Sequence, residues 1–186
     1  MTAIENLDSR FREAGALVVS RHDFKRDGLV LSATIPAGIL TKLARGLKDD
    51  GYALLDLSVL EAKEGFLVTY HFDSFREPGR LALRVLATEE MPEVPSLYGI
   101  FEGAEWHERE SADFYGLIFF GNPNPVPLIL PADFDGPPPL RKDPKDLAAL
   151  SALGLFGQAD VLDPSWEALV NPPAPDKPGA GDGAGA

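Results

Sequence analysis

The chain has 186 residues, 45% of them apolar, enough for one ordinary domain with a hydrophobic core. Its net charge of −12, from 29 acidic against 17 basic residues, repels a phosphate backbone, and no basic stripe set with aromatics is present, so nucleic acid is not an expected partner. It contains no cysteine, which excludes thiolate-held clusters or zinc, disulfides and a cysteine nucleophile within these residues.

The opening segment MTAIENLDSRFREAG is polar and lacks the apolar core of a signal peptide. Ile4, Leu7, Phe11 and Ala14 recur at helix spacing, and Gly15 closes that helix. Residues 16–36 read as two short strands, with Asp27-Gly28 as the turn signal between them. Pro36 and Gly38 introduce a second helix, whose Ile39, Leu40, Leu43 and Leu47 share one face and which Gly51 ends. Three strands follow, at 52–60, 65–73 and 80–87, joined by turns at Glu64-Gly65 and Glu77-Pro78-Gly79. The acidic stretch 88–96 reads as a loop. Residues 97–115 read as a helix broken near Gly103 and stopped by Gly116, and LIFF (117–120) reads as a short strand. The apolar runs, ALVV and LIFF among them, are too short to cross a bilayer, so direct membrane insertion is not expected.

From Gly121 the texture changes to GNPNPVPLILPADFDGPPPLRKDP. Proline fixes its own φ and biases the preceding residue to extended geometry, which predicts an extended arm. Such an arm cannot bury its own backbone. It must lie on this domain or on another protein, and Leu128, Ile129, Leu130 and Phe134 favour a packed surface. The predicted organisation is an α+β domain over 1–121, an extended Pro-rich arm over 122–145, a weakly helical segment over 146–170 and a disordered tail over 171–186. The expected domain core is a mostly antiparallel sheet of four to five strands with helices packed on one face.

The stretch WHERESADFYGLIFFG (106–121) is the densest in chemistry. On a helix, Glu105, Arg109 and Asp113 are successive i, i+4 neighbours, which gives Arg109 an acidic group on each side. Trp106 and Phe114 share a side of the helix, and Trp106 and Trp166 are expected as packing anchors. Three readings of the cluster remain open. Glu108, Glu110 and Asp113 could be general acid/base groups, but no nucleophile motif accompanies them. His107 and Glu110 could hold a metal, but two ligands are too few. The cluster could also be structural, paired within the chain or at a chain–chain contact. His22 and His71 lie in strand-like segments without ligand spacing.

Glu108-Arg109-Glu110, Asp113, the two aromatics after it, Gly116-Leu117 and Phe119–Gly121 resemble the signature of the 30-kilodalton subunit, or C-subunit, of respiratory NADH:quinone oxidoreductase (complex I). Downstream, Asp133-Phe134-Asp135-Gly136 and Pro139-Leu140-Arg141-Lys142-Asp143 are similar to that family's F-x-G-x-P-L-R-K-D ending. The resemblance covers about 105–144. It departs at Asn122, where the family usually carries histidine, and at Val126-Pro127, where basic residues are usual. Related subunits serve membrane-bound hydrogenases and other quinone reductases.

The resemblance implies a peripheral-arm subunit with no cofactor of its own. It implies that NADH or another donor, iron–sulfur clusters and quinone belong to partner subunits. It also implies a hetero-oligomer with the large quinone-site subunit and the iron–sulfur subunits, held peripherally on the cytoplasmic side of the cell membrane. The isolated chain is then expected to be inactive. Glu108, Arg109, Glu110, Asp113, Phe134, Leu140, Arg141 and Lys142 are the expected partner-interface residues, with Arg141 and Lys142 pairing with acidic groups on a neighbour. Rival readings are a free-standing acidic assembly module and an independent hydrolase.

Overall fold

A computed structural model describes residues 3–76, 79–156 and 158–166. Helix α1 (Ala3–Glu13) buries Leu7 and Phe11, with Glu5 in its first turn and Arg10 and Arg12 in its last, each complementing the helix dipole. Strands β1 (Val18–Arg21) and β2 (Leu31–Thr34) pair antiparallel. The connection between them is not the simple turn expected at Asp27-Gly28. It contains a one-turn helix, α2 (Phe24–Asp27), because Asp23 caps it by accepting from the Lys25 amide and Gly28 closes it at φ +67°. A short 3-10 turn (Ala37–Ile39) then leads into α3 (Leu40–Asp49), which buries Leu40, Leu43, Ala44 and Leu47.

Strands β3 (Tyr52–Ala62), β4 (Gly65–Ser74) and β5 (Leu81–Ala87) form the expected antiparallel meander. Gly65 is required there: its φ is +127°, and a Cβ on it would come 2.3 Å from the Ala87 carbonyl oxygen. The expected turn residues Glu77 and Pro78 lie outside the described residues. The sheet has six strands in the order β3-β4-β5-β2-β1-β8, where β8 is Gln158–Val161. All its pairings are antiparallel except β2 with β5. The α+β class and the antiparallel sheet therefore hold, with one strand more than expected.

The period-2 alternation of β4 sends Phe66, Val68, Tyr70 and Phe72 to one face, where they meet Leu81, Leu83 and Val85 of β5 and the apolar sides of α1 and α3. The second face carries Val18, Ala62 and Leu67, covered by Leu150 and Trp166. Trp166 is thus a packing anchor, its ring edge-on to Phe156. Residues 144–166 show two 3-10 turns (Pro144–Asp146 and Leu150–Leu153) and β8, with helical residues at 164–166, while the rest of the weakly helical segment expected over 146–170 lies outside the described residues. Pairing with the free edge of β1 outweighs a sparse helical pattern. Leu169 and the tail 171–186 lie outside the described residues.

The segment 88–96 holds a short strand, β6 (Glu93–Pro95), where a loop was expected. Two prolines and three acids hide it in the sequence, and only Val94 is buried. It pairs parallel with β7 (Ile118–Phe120), and α4 (Ala104–Tyr115) is the crossover between them. The helix expected over 97–115 is realised only from Ala104. Residues 97–101 form a tight turn, the amides of Ile100 and Phe101 both donating to the Leu97 carbonyl.

Candidate functional site: a helix that carries the arm

Gly116 ends α4 at φ +76°, its amide donating to the Ala112 carbonyl, and this turn brings the proline-rich segment back along the helix. That segment has few amides to give, because its prolines have none, and it belongs to no strand that would pair its carbonyls. The helix supplies what is missing through the i, i+4 row seen in the sequence. Arg109 donates to the carbonyls of Val126 (2.9 Å) and Pro127 (3.0 Å) and to Glu105 (3.1 Å). Asp113 accepts, on one carboxylate oxygen, the amides of Leu128, Ile129 and Leu130 at 3.0, 2.8 and 3.0 Å. Glu105 also accepts from the Asn124 side-chain amide at 3.0 Å. Arg109 therefore has one carboxylate partner of the two expected, since Asp113 is committed to the arm.

Glu108 points the other way and is fully buried. It accepts from the Ser96 hydroxyl (2.6 Å), the Leu97 amide (2.7 Å) and the Asn122 side-chain amide (2.7 Å). Burial still raises its pKa above the ordinary 4.5, against those three donors. Glu108 thus ties the turn before α4 to Asn122, two residues past β7. Nearby, the Tyr70 hydroxyl is buried with no hydrogen-bond partner among the described residues, and burial followed by the Glu108 charge pushes its pKa well up.

The second fastening is the motif Leu140-Arg141-Lys142-Asp143. The Leu140 amide donates to the Phe114 carbonyl at 3.0 Å. Arg141 donates to Glu61 (2.7 Å) and Glu89 (2.6 Å) and lies 4.8 Å over the Phe66 ring. The Lys142 amide donates to the other Glu61 oxygen at 2.7 Å, and Asp143 caps the following 3-10 turn. Arg141 thus pairs inside the chain, where a pairing with a neighbour was expected. Glu61, with its side chain 4% exposed on β3, is the receptor for this motif. Glu61, just past the strand expected at 52–60, gave no sequence signal for that role.

Phe134 (44% exposed) and Leu140 (50%) face outward, and so do Glu110 and the Lys142 ammonium, which have no ion-pair partner among the described residues. Trp106 is 65% exposed, not the buried anchor expected, because its side of α4 faces away from the sheet. With Leu128 and Ile129 it lines a broad hollow of about 850 Å³ rimmed by Glu102, Glu105 and Glu110. His107 lies 3.4 Å from Asp56, and no group of three metal-ligating side chains occurs among the described residues. None of the described helices is long and apolar enough to cross a membrane.

Residues 33–147 match the family model described as respiratory-chain NADH dehydrogenase, 30 Kd subunit. The chain belongs to this family. The NADH-quinone oxidoreductase C-subunit of Roseiflexus sp. (strain RS-1) is 34% identical over 149 residues, 76% of this chain and 82% of that protein. The NAD(P)H-quinone oxidoreductase J-subunit of Synechococcus sp. (strain WH7803) is 53% identical over a shorter stretch of 58 residues, 31% of each chain. Among solved structures, the trypsin-resistant fragment of Nqo5 matches with a TM-score of 0.55 at 23% identity, covering 66% of this chain and 99% of the fragment. A chain of the archaeal membrane-bound sulfane sulfur reductase matches with a TM-score of 0.63 at 22% identity, covering 82% of this chain and 90% of that one. These two likenesses establish the fold. Asn122, where the resemblance departs, donates its side-chain amide to Glu108. Val126 and Pro127 contribute carbonyls to Arg109.

Proposed function

We propose that this chain is a cofactor-free peripheral-arm subunit of an NADH:quinone oxidoreductase. It holds cluster-bearing and quinone-site subunits in place, on the cytoplasmic side of the membrane, without taking part in the chemistry itself. Family membership supports the complex. The observation that carries the scaffolding role is the arm: 122–143 is fastened at both ends to its own domain, yet it presents Ile129, Phe134 and Leu140 outward beside exposed Trp106. Apolar side chains held on a rigid, acid-rimmed surface suit a protein contact, where aromatic anchors carry much of the binding energy. Arg109, Asp113, Arg141 and Glu108 serve that contact by fixing the arm and helix. Glu110 and the Lys142 ammonium are the charges left to meet a partner. NADH or another donor, the clusters and the quinone belong to the partner subunits.

The test is Arg109→Ala combined with Arg141→Ala in the native complex. Loss of the arm's fastenings should lower the yield of assembled complex, and with it the quinone reductase activity per membrane. Assembly at unchanged yield and activity would remove these residues from the contact. The purified chain should have no oxidoreductase or hydrolase activity alone.

A further inference from the structure

The second face of the sheet carries a buried polar stripe. Ser20 and Ser32 are register partners on β1 and β2, and Thr34 and Thr69 flank Arg84 of β5. Arg84 is 5% exposed, and no carboxylate pairs with it among the described residues. Its hydrogen-bond partner is the Ser32 hydroxyl at 3.0 Å, and the Phe156 ring lies 5.5 Å from its guanidinium carbon. A guanidinium offers five N–H donors in a fixed fork, and among the described residues only the bond to Ser32 engages this one. Burial lowers its pKa to about 10, which leaves it charged at neutral pH. The other strongly buried charges among the described residues are matched: Asp8 by Arg12 and Arg21, Glu61 by Arg141, Glu108 by three donors.

Arg84 lines a cavity of about 240 Å³ together with His22, Arg26, Asp27, Gly154 and Leu155. Asp27 is the acid present, and it is taken: both its oxygens bond Arg26, at 2.8 and 2.9 Å. The Ser32 hydroxyl accepts from Arg84 and stands 2.8 Å from His22 Nε2, so it donates to that nitrogen. The other ring nitrogen, Nδ1, then carries the proton, 3.5 Å from Asp27. Arg84 thus meets this space with no carboxylate of its own, while Arg26 and the His22 N–H at the rim both face Asp27.

We propose that this cavity binds a small oxyanion, phosphate or a short carboxylate, with Arg84 as its principal charge partner and Arg26 at its mouth. A forked guanidinium meets two oxygens of either anion, and the bound charge offsets the cost of burying Arg84. The site is separate from α4 and the arm.

The test is titration of the full-length chain with sodium phosphate, and separately with acetate and sulfate, against chloride at matched ionic strength, followed by calorimetry and thermal unfolding. Saturable binding with a raised Tm is expected for at least one oxyanion. Phosphate and sulfate together would identify a tetrahedral site, and acetate alone a planar one. Arg84→Met should abolish the response while unfolding in chloride no lower than the parent, because an unpaired buried cation has been removed. Should that variant not fold, Arg84→Lys, which keeps the charge and loses the fork, should bind about tenfold more weakly. Absence of saturable binding to the parent, or an unchanged response in the folded variants, would overturn the proposal.

Discussion

Glu108 is buried, raised in pKa and surrounded by donors, a combination found at acid/base sites as well as at structural ones. Here its three partners are an amide and two side chains of the same chain, and they hold the turn before α4 in place. Its folded pKa lies above the unfolded value of about 4.5, so the native state retains a proton that the unfolded state releases. The contribution of Glu108 to stability is therefore largest at low pH and declines as pH rises from there through the folded pKa. Glu108→Gln should flatten that slope, seen as a smaller Tm difference between acidic and neutral pH than in the parent. A parallel pair of Tm profiles would show that Glu108 titrates normally. Tyr70 makes a second residue-scale case. Its buried hydroxyl has no partner among the described residues, so Tyr70→Phe should be neutral or raise stability by about 1 kcal/mol in urea unfolding. A loss of that size would mean that the hydroxyl is satisfied in solution.

At the scale of elements, α4 and the arm form one device. The i, i+4 row Glu105, Arg109, Asp113 was legible in the sequence as a charged helix face. Its target was not, because the pairing is with the carbonyls and amides of residues 126–130 and backbone groups leave no mark in side-chain pattern. The same holds for Glu61, whose partner lies 80 residues away. Helix α1, helix α3 and the meander were readable because each has an apolar face of regular period. Strands β6 and β8 were not, being short and dependent on a neighbouring strand edge. Asp113→Ala should release the amides of 128–130, which would then exchange with solvent faster while the core strands keep their protection; unchanged exchange would mean that other contacts hold the arm. Arg141→Ala strands the Glu61 carboxylate. It should cost roughly 2–3 kcal/mol, less than a fully buried pair because Arg141 keeps 31% exposure. A Tm within error of the parent would show that the clamp is not formed in solution.

On the scale of the whole molecule, the apolar side chains divide into two groups. One fills the two faces of the sheet. The other stays outside: Trp106, Ile118, Phe120, Ile129, Phe134 and Leu140 gather on α4, β7 and the arm, while Phe24, Leu55, Phe75 and Met91 are scattered over the rest of the surface. In the proposed scaffolding role, the cluster on α4, β7 and the arm is the face offered to neighbouring subunits. The measurement that bears most directly on this account is subunit composition by mass spectrometry after affinity purification from gently solubilised membranes. It would compare the parent chain with Trp106→Glu/Ile129→Glu, two exposed positions whose change should leave the fold intact. The parent should recover iron–sulfur and quinone-site subunits in equal amounts. The variant, folded by thermal unfolding, should lose them by an order of magnitude or so, as removal of an aromatic anchor does. Recovery of the parent alone, or of an undiminished complex with the variant, would contradict the scaffolding role.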